Sequence, residues 1–201
     1  MKSKLKRCWN TDNPLYIKYH DEEWGVPVHD DRTLFEFLTL EGFQAGLTWE
    51  LILKRREALR KAFDNFNPEK IARYNDEDVK RLMANPNVIR NRAKILATID
   101  NAIRLKEVQK EFGSFDAFVW KFVQGKTLNN AFTDFSNMPA ETEESKTMSK
   151  EMKKRGFKFV GPTICYAFMQ AVGLVNDHLI DCFRYGEIKN AASNKTKRLG
   201  V

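Results

Sequence analysis

Three histidines and three cysteines stand in a chain of 201 residues, so their placement carries chemical information. His178 and Cys182 are four apart, a spacing that stacks both side chains on one face of a helix. Cys8 and His20 form a second close group near the N-terminus. Two imidazoles and two thiolates make the tetrahedral set that a structural zinc ion accepts, with no position left for water. Such a site would tie together two short chain ends. The spacing fits equally well two small buried thiols and two ordinarily hydrogen-bonded histidines, because the pairing of the two halves is long-range. A catalytic zinc of the nucleobase-deaminase kind wants a P-C-x-x-C, which does not occur.

A second group is acidic and aromatic. In the run Asp31 to Glu41, Glu36 and Thr39 define the polar side of a helix. Glu41 lies nearly opposite, continuing the apolar stripe of Leu34, Phe37 and Leu38. A carboxylate aimed into a core is costly unless it is paired or used. Trp9, Tyr16, Tyr19, Trp24, Phe43 and Trp49 lie close to it in sequence. Rings at this density serve as core, with a buried arginine or a helix cap satisfying the acid. Alternatively, flat faces beside a half-buried carboxylate form a slot for an extruded nucleobase, and a cationic base would stack there best.

A third group is basic. In the segment from Lys153 to Ile164, Gly156 suits the left-handed position after a helix, and Pro162 the first position of the next. The second helix of this hairpin starts with free N–H groups, an anion site. Lys153, Lys154, Arg155 and Lys158 surround it, and a DNA phosphate is the natural occupant. The cluster Arg90, Arg92 and Lys94 opens another helix and offers further backbone contacts.

The elements that must hold these groups are helical. Apolar residues recur at spacings of three and four over about Asp31 to Leu40, Leu47 to Phe66, Ile89 to Phe112, Phe115 to Val123, Ser145 to Arg155 and Pro162 to Val172. Breaks fall at Asn67-Pro68, Asn85-Pro86, Gly113-Ser114 and Met138-Pro139. No segment alternates with period two, so no sizeable sheet is expected. With 42% hydrophobic residues and 15 Phe the chain can bury a real core, which excludes an intrinsically disordered chain. No run of 18 apolar residues exists and no secretory signal opens the chain, so a cytoplasmic protein without a membrane span is expected. Three cysteines in such a chain do not suggest a disulfide framework. The net charge is +7, yet residues 1–7 and 184–201 each contribute +4. Residues 8–183 are nearly neutral, and the two ends read as basic, flexible tails around one body, either solubilising or adding sequence-blind affinity for phosphates.

Four long motifs then resemble one family. Pro14-Leu15-Tyr16-Ile17-Lys18-Tyr19-His20-Asp21-Glu22-Glu23-Trp24-Gly25-Val26-Pro27 is similar to the N-terminal signature of 3-methyladenine DNA glycosylase I. Leu40-Glu41-Gly42-Phe43-Gln44-Ala45-Gly46-Leu47-Thr48-Trp49, the hairpin from Lys154 to Tyr166, and Gly173-Leu174-Val175-Asn176-Asp177-His178 continue the likeness in order. The resemblance implies an all-α helix-hairpin-helix DNA glycosylase fold, with one structural zinc on Cys8, His20, His178 and Cys182 joining the two ends. It implies Glu41 as the base-contacting acid, with Trp9, Tyr16, Tyr19, Trp24 and Trp49 in or around the base pocket. Gly156, Lys158, Gly161 and Thr163 fall in the phosphate-binding hairpin. The implied activity is excision of 3-methyladenine from double-stranded alkylated DNA by a monomeric, monofunctional enzyme, leaving an abasic site for base excision repair. Asp177 directly precedes His178, one residue out of the V-D-x-H context of related glycosylases, and is given no catalytic role. Phe43 stands where a polar residue is common, which opens the alternative of a shifted lesion preference. The alternative from another class is a non-enzymatic, zinc-stapled module that binds damaged DNA.

Overall fold

In the computed structural model, residues 5–198 are described, with side chains described to residue 191. Ten α-helices are present among them. They are α1 (Pro14–Glu22), α2 (Asp31–Gln44), α3 (Trp49–Ala62), α4 (Pro68–Ile71), α5 (Asp76–Ala84), α6 (Arg92–Phe112), α7 (Phe115–Trp120), α8 (Glu143–Lys154), α9 (Pro162–Ala171) and α10 (Phe183–Arg198). The only strands among the described residues are β1 (Leu128–Asn129) and β2 (Val175–Asn176), a two-residue parallel pair. The all-α expectation and its six helical stretches therefore hold. The helices α1, α4, α5 and α10 lay outside the stretches picked out by periodicity.

Helix starts follow from local chemistry. Asn13, Asp30, Thr48, Asn67, Asn75, Asn91, Ser114 and Thr142 each accept a hydrogen bond from a first-turn N–H, and proline opens α1, α4 and α9. The helix α2 is central: every residue from Leu34 to Phe43 is buried, and it packs on α3, α6, α7 and α9. Phe35, Phe63, Phe66, Phe115, Phe118 and Phe168 fill the space around it. One face was therefore not left polar. Glu36 is buried, held by Arg56 Nε at 2.6 Å and by Arg60 Nε at 3.0 Å.

The two ends of the chain meet behind α9. The N–H groups of Gly25 and Val28 donate to Gln170 O and Val172 O, so segment 25–28 runs against the end of α9. The approach requires glycine at position 173, where φ is +73° and a Cβ would lie 2.4 Å from Pro27 N. The expected tails are placed as follows. The stretch read as a flexible tail from residue 184 belongs to α10, whose Ile188 is buried. An apolar residue therefore docks the first turns of the helix. At the other end, Arg7 makes paired bonds to Asp21 and Lys6 pairs with Asp181. Residues 1–4 and 199–201 lie outside the described residues. No helix among the described residues is long and apolar enough to cross a membrane.

Candidate active site

The helix α2 carries two buried carboxylates with opposite fates. Glu36 is neutralised by two arginines, as above. Glu41, 3% exposed, has no hydrogen-bond or ion-pair partner among the described residues. Burial alone pushes its carboxyl up to about 8. It does not face the core. It opens on a cavity of about 230 Å³, whose walls include Trp9, Tyr16, Tyr19, Trp24 and Trp49. All five rings expected around the acid are thus brought to it.

The rings form a continuous wall. Trp9 stacks on Tyr19 with 6.2 Å between centroids, meets Tyr16 edge-on at 5.8 Å, and lies 4.9 Å from Trp24. Tyr19 is 5.2 Å from Trp49. Burial, and then the nearby Glu41, push the Tyr19 phenol well above its usual range, so it stays neutral. The Trp49 indole N–H is buried without a partner among the described residues, a donor left free in the wall. Phe43, expected to influence lesion choice, is not on this wall. Its ring is 1% exposed and packs edge-on against Phe63, because it follows Glu41 by two residues and so faces the other side of α2.

Sequence reasoning missed the opposite wall, formed by Gln44, Phe135, Met138, Ala167 and Gln170. Phe135 and Met138 come from an irregular segment, where no periodicity marks an inward face. Gln170 did carry a signal. It is an amide near the end of the apolar α9, four residues after Tyr166.

The four candidate metal ligands also converge. Cys8, His20, His178 and Cys182 are all buried, with one ligand atom of each lying within 4.8 Å of the others. Cys8 Sγ lies 3.3 Å from His178 Nδ1, and Cys182 Sγ lies 3.5 Å from both His178 Nδ1 and His20 Nε2. Ligand bonds of about 2.0–2.3 Å at tetrahedral angles place S and N about 3.5 Å apart, so these edges suit a four-coordinate cation. The outer ring nitrogens are engaged, His20 Nδ1 with Asp21 at 2.8 Å and His178 Nε2 with Trp24 O at 2.9 Å. An N–H committed outward leaves the inward nitrogen a lone pair, as a ligand needs. The nearness of the two thiols pulls Cys182 down and pushes Cys8 up. The group can hold a metal ion, and the reading as two unrelated buried thiols is set aside by their convergence.

The hairpin between α8 and α9 is built as its sequence suggests. Gly156 is left-handed at φ +87°, and the N–H groups of Gly156 and Phe157 close onto Lys153 O and Met152 O. Asn101, from α6, grips Lys158 in both directions, accepting from its N–H at 2.7 Å and donating to its carbonyl at 3.0 Å. Ser149 Oγ donates to Val160 O at 2.6 Å. Gly161 precedes α9, whose first turn holds Thr163 and has no side-chain cap. Two of the expected basic contacts are otherwise occupied. Arg155 pairs with Glu111 and Glu151, and lies over Phe112. Lys94 is buried, donating from Nζ to Phe43 O at 2.8 Å and Ala45 O at 2.6 Å, where it fastens the end of α2. Lys158 is exposed.

Comparison with known proteins agrees with this geometry. The methyladenine glycosylase family matches residues 9–185. The DNA-3-methyladenine glycosylase 1 of Escherichia coli (strain K12) is 49% identical over 182 residues, covering 90% of this chain and 97% of that protein. A crystal structure of a 3-methyladenine DNA glycosylase I superposes with a TM-score of 0.86 at 50% identity, over 89% of this chain and 98% of the other. The Staphylococcus aureus 3-methyladenine DNA glycosylase I, solved to define its recognition of 3-methyladenine, gives 0.85 at 38% identity, over 88% and 94%. With residues 9–185 matched and nearly the whole length of its relatives covered, the chain belongs to the methyladenine glycosylase family.

Proposed function

We propose that this protein is a DNA-3-methyladenine glycosylase that extrudes the lesion from duplex DNA, takes it into the cavity beside Glu41 and hydrolyses the N-glycosidic bond. One observation carries the reading: a buried carboxyl without a counter-charge, surrounded by rings, on the same helix as a buried carboxylate that has two. An unpaired buried acid is a standing cost, and only a ligand that enters can recover it. Adenine methylated at N3 is cationic while it is attached to sugar. It brings a positive charge to Glu41 and flat faces to the tryptophans and tyrosines. A cationic base is also a good leaving group, so the site has little acid catalysis to supply. Among the described residues no lysine lines the cavity, which supports hydrolysis over amine attack and hence a monofunctional enzyme.

The hairpin gives the backbone contacts. Gly156 and Gly161 bring its main chain close to the phosphates, Lys158 adds charge, and the first turn of α9, including Thr163, offers its N–H groups. The metal on Cys8, His20, His178 and Cys182 is a zinc ion in a closed structural role, one per chain, holding residue 8 to residue 182. Residues 8–183 form the glycosylase body, acting as a monomer inside the cell where its DNA is.

Release of 3-methyladenine from dimethyl-sulfate-treated DNA tests the activity and separates it from a module that only binds damaged duplex. Glu41→Ala is expected to stay folded, to lose release and to bind free 3-methyladenine at least tenfold more weakly. Unchanged affinity by calorimetry would remove Glu41 from the site.

A further inference from the structure

Gln170 stands where two spaces meet. It lines the cavity with Glu41, and it also lines an adjoining groove of about 320 Å³ that runs past Tyr166 to Thr163 in the first turn of α9. With a base in the cavity and its phosphates along the hairpin, as in the function proposed above on which this inference rests, the sugar passes through that junction. Hence the polar atom Gln170 shows there lies near the bond that breaks.

Which atom it shows is fixed from behind. Gln170 Nε2 donates to Asp177 Oδ2 at 2.8 Å and to Met138 Sδ at 3.1 Å, which uses both amide hydrogens. Asp177 is 1% exposed and does not line either space. Asn130 Nδ2 donates to its Oδ1 at 2.8 Å, and Tyr166 donates to its Oδ2 at 2.5 Å. Asp177 accepts from all three of these neighbours, so the amide of Gln170 turns its nitrogen to Asp177 and its oxygen away. Gln170 Oε1 has no partner among the described residues. The junction is thus given an acceptor, and Asp177 holds it there.

We propose that Gln170 positions the attacking water at the anomeric carbon, and that Asp177 acts through it as a second positioning residue. The water donates one hydrogen to Gln170 Oε1, which turns an oxygen lone pair toward the carbon. The glycosidic C–N bond breaks with its electron pair going to the base, which leaves neutral. The water oxygen bonds the carbon, and the surplus proton passes to solvent through the open groove. Gln170 takes no proton; it only orients, and an oriented nucleophile is worth a tenfold to hundredfold rate.

The test is single-turnover release of 3-methyladenine from alkylated duplex, beside calorimetric binding of the free base. Gln170→Leu is expected to slow release at least tenfold and leave affinity for free 3-methyladenine within about twofold, a split that general loss of structure would not produce. Asp177→Asn, which frees the amide to rotate, slows release similarly, and the double variant is no slower than Gln170→Leu alone. If Asp177→Asn fails to fold, Gln170→Leu carries the test alone. An unchanged rate in Gln170→Leu overturns the proposal. So does loss of free-base affinity, which would place Gln170 on the base. Failure of the unaltered protein to release 3-methyladenine would instead overturn the function on which this rests.

Discussion

Glu41 makes the protein less stable as pH rises, which is the reverse of a paired carboxylate. In the unfolded chain a glutamate loses its proton near 4.5, whereas burial holds the proton on Glu41 to about 8. Between those values the folded state binds more protons than the unfolded one, so each increment of pH favours unfolding. The gap, at about 1.4 kcal/mol for each tenfold in proton affinity, amounts to about 5 kcal/mol at pH 8 and above, and to nothing below about pH 4.5. Glu41→Gln keeps the shape and cannot ionise. The unfolding free energies of the two proteins should therefore run together near pH 4.5 and separate by about 5 kcal/mol by pH 8.5, with the glutamine variant the more stable. With a urea slope of about 2 kcal/mol/M, the midpoints separate by about 2.5 M. Every other carboxylate titrates in both proteins and cancels from the difference. A midpoint difference constant with pH, or one in which the wild type gains as pH rises, would mean that Glu41 is paired as Glu36 is. The reasoning from an unpaired acid would then fail.

Two further outcomes follow from the Cys/His group and from the hairpin. Asp21→Asn removes the carboxylate that holds His20 Nδ1, and should weaken metal affinity about 10-fold to 100-fold, read by competition with a chromogenic chelator. Asn101→Leu deletes both bonds to the Lys158 backbone, at about 1 kcal/mol each. It should weaken duplex binding, measured by fluorescence anisotropy, while calorimetric affinity for free 3-methyladenine stays unchanged.

Much of this site was legible because its residues break local rules. Glu41 sits on an apolar stripe, His178 and Cys182 share a helical spacing, and glycine with proline punctuates the hairpin. These are short-range signals, and the structure bears out the placement of Glu41 and of the hairpin; His178 and Cys182 do converge, but from the turn between β2 and α10 rather than from one helix face. What was not legible depends on long-range packing. Glu36 looked like the solvent face until Arg56 and Arg60, from α3, covered it. Lys94 and Arg155 looked free for phosphate, but a buried carbonyl pair and an acidic pair claim them. Phe135 and Met138 reach the cavity from irregular chain, where no period exists to read. The basic run after residue 184 counted as a tail on charge alone, although Ile188 gives α10 an apolar anchor.

The metal group and the base cavity share a wall, and the sequence has them interleaved. Cys8 is followed by Trp9, and His20 is preceded by Tyr19; in each pair one residue turns to the cluster and its neighbour to the cavity. Trp9 lies edge-on to His20 at 5.1 Å, and Trp24 edge-on to His178 at 4.6 Å, so the imidazoles themselves back the aromatic wall. Rings that grip a planar ligand must be held by something stiffer than a chain terminus, which frays unless it is tied down. On the proposed reading, a metal held by all four side chains would supply that stiffness without entering the chemistry. The arrangement explains why ligands from residue 8 and residue 182 are joined beside the cavity rather than at a distance from it. Fastened there, residues 8 and 182 would keep Trp9 and Tyr19 at the spacing that the proposed base-binding role requires.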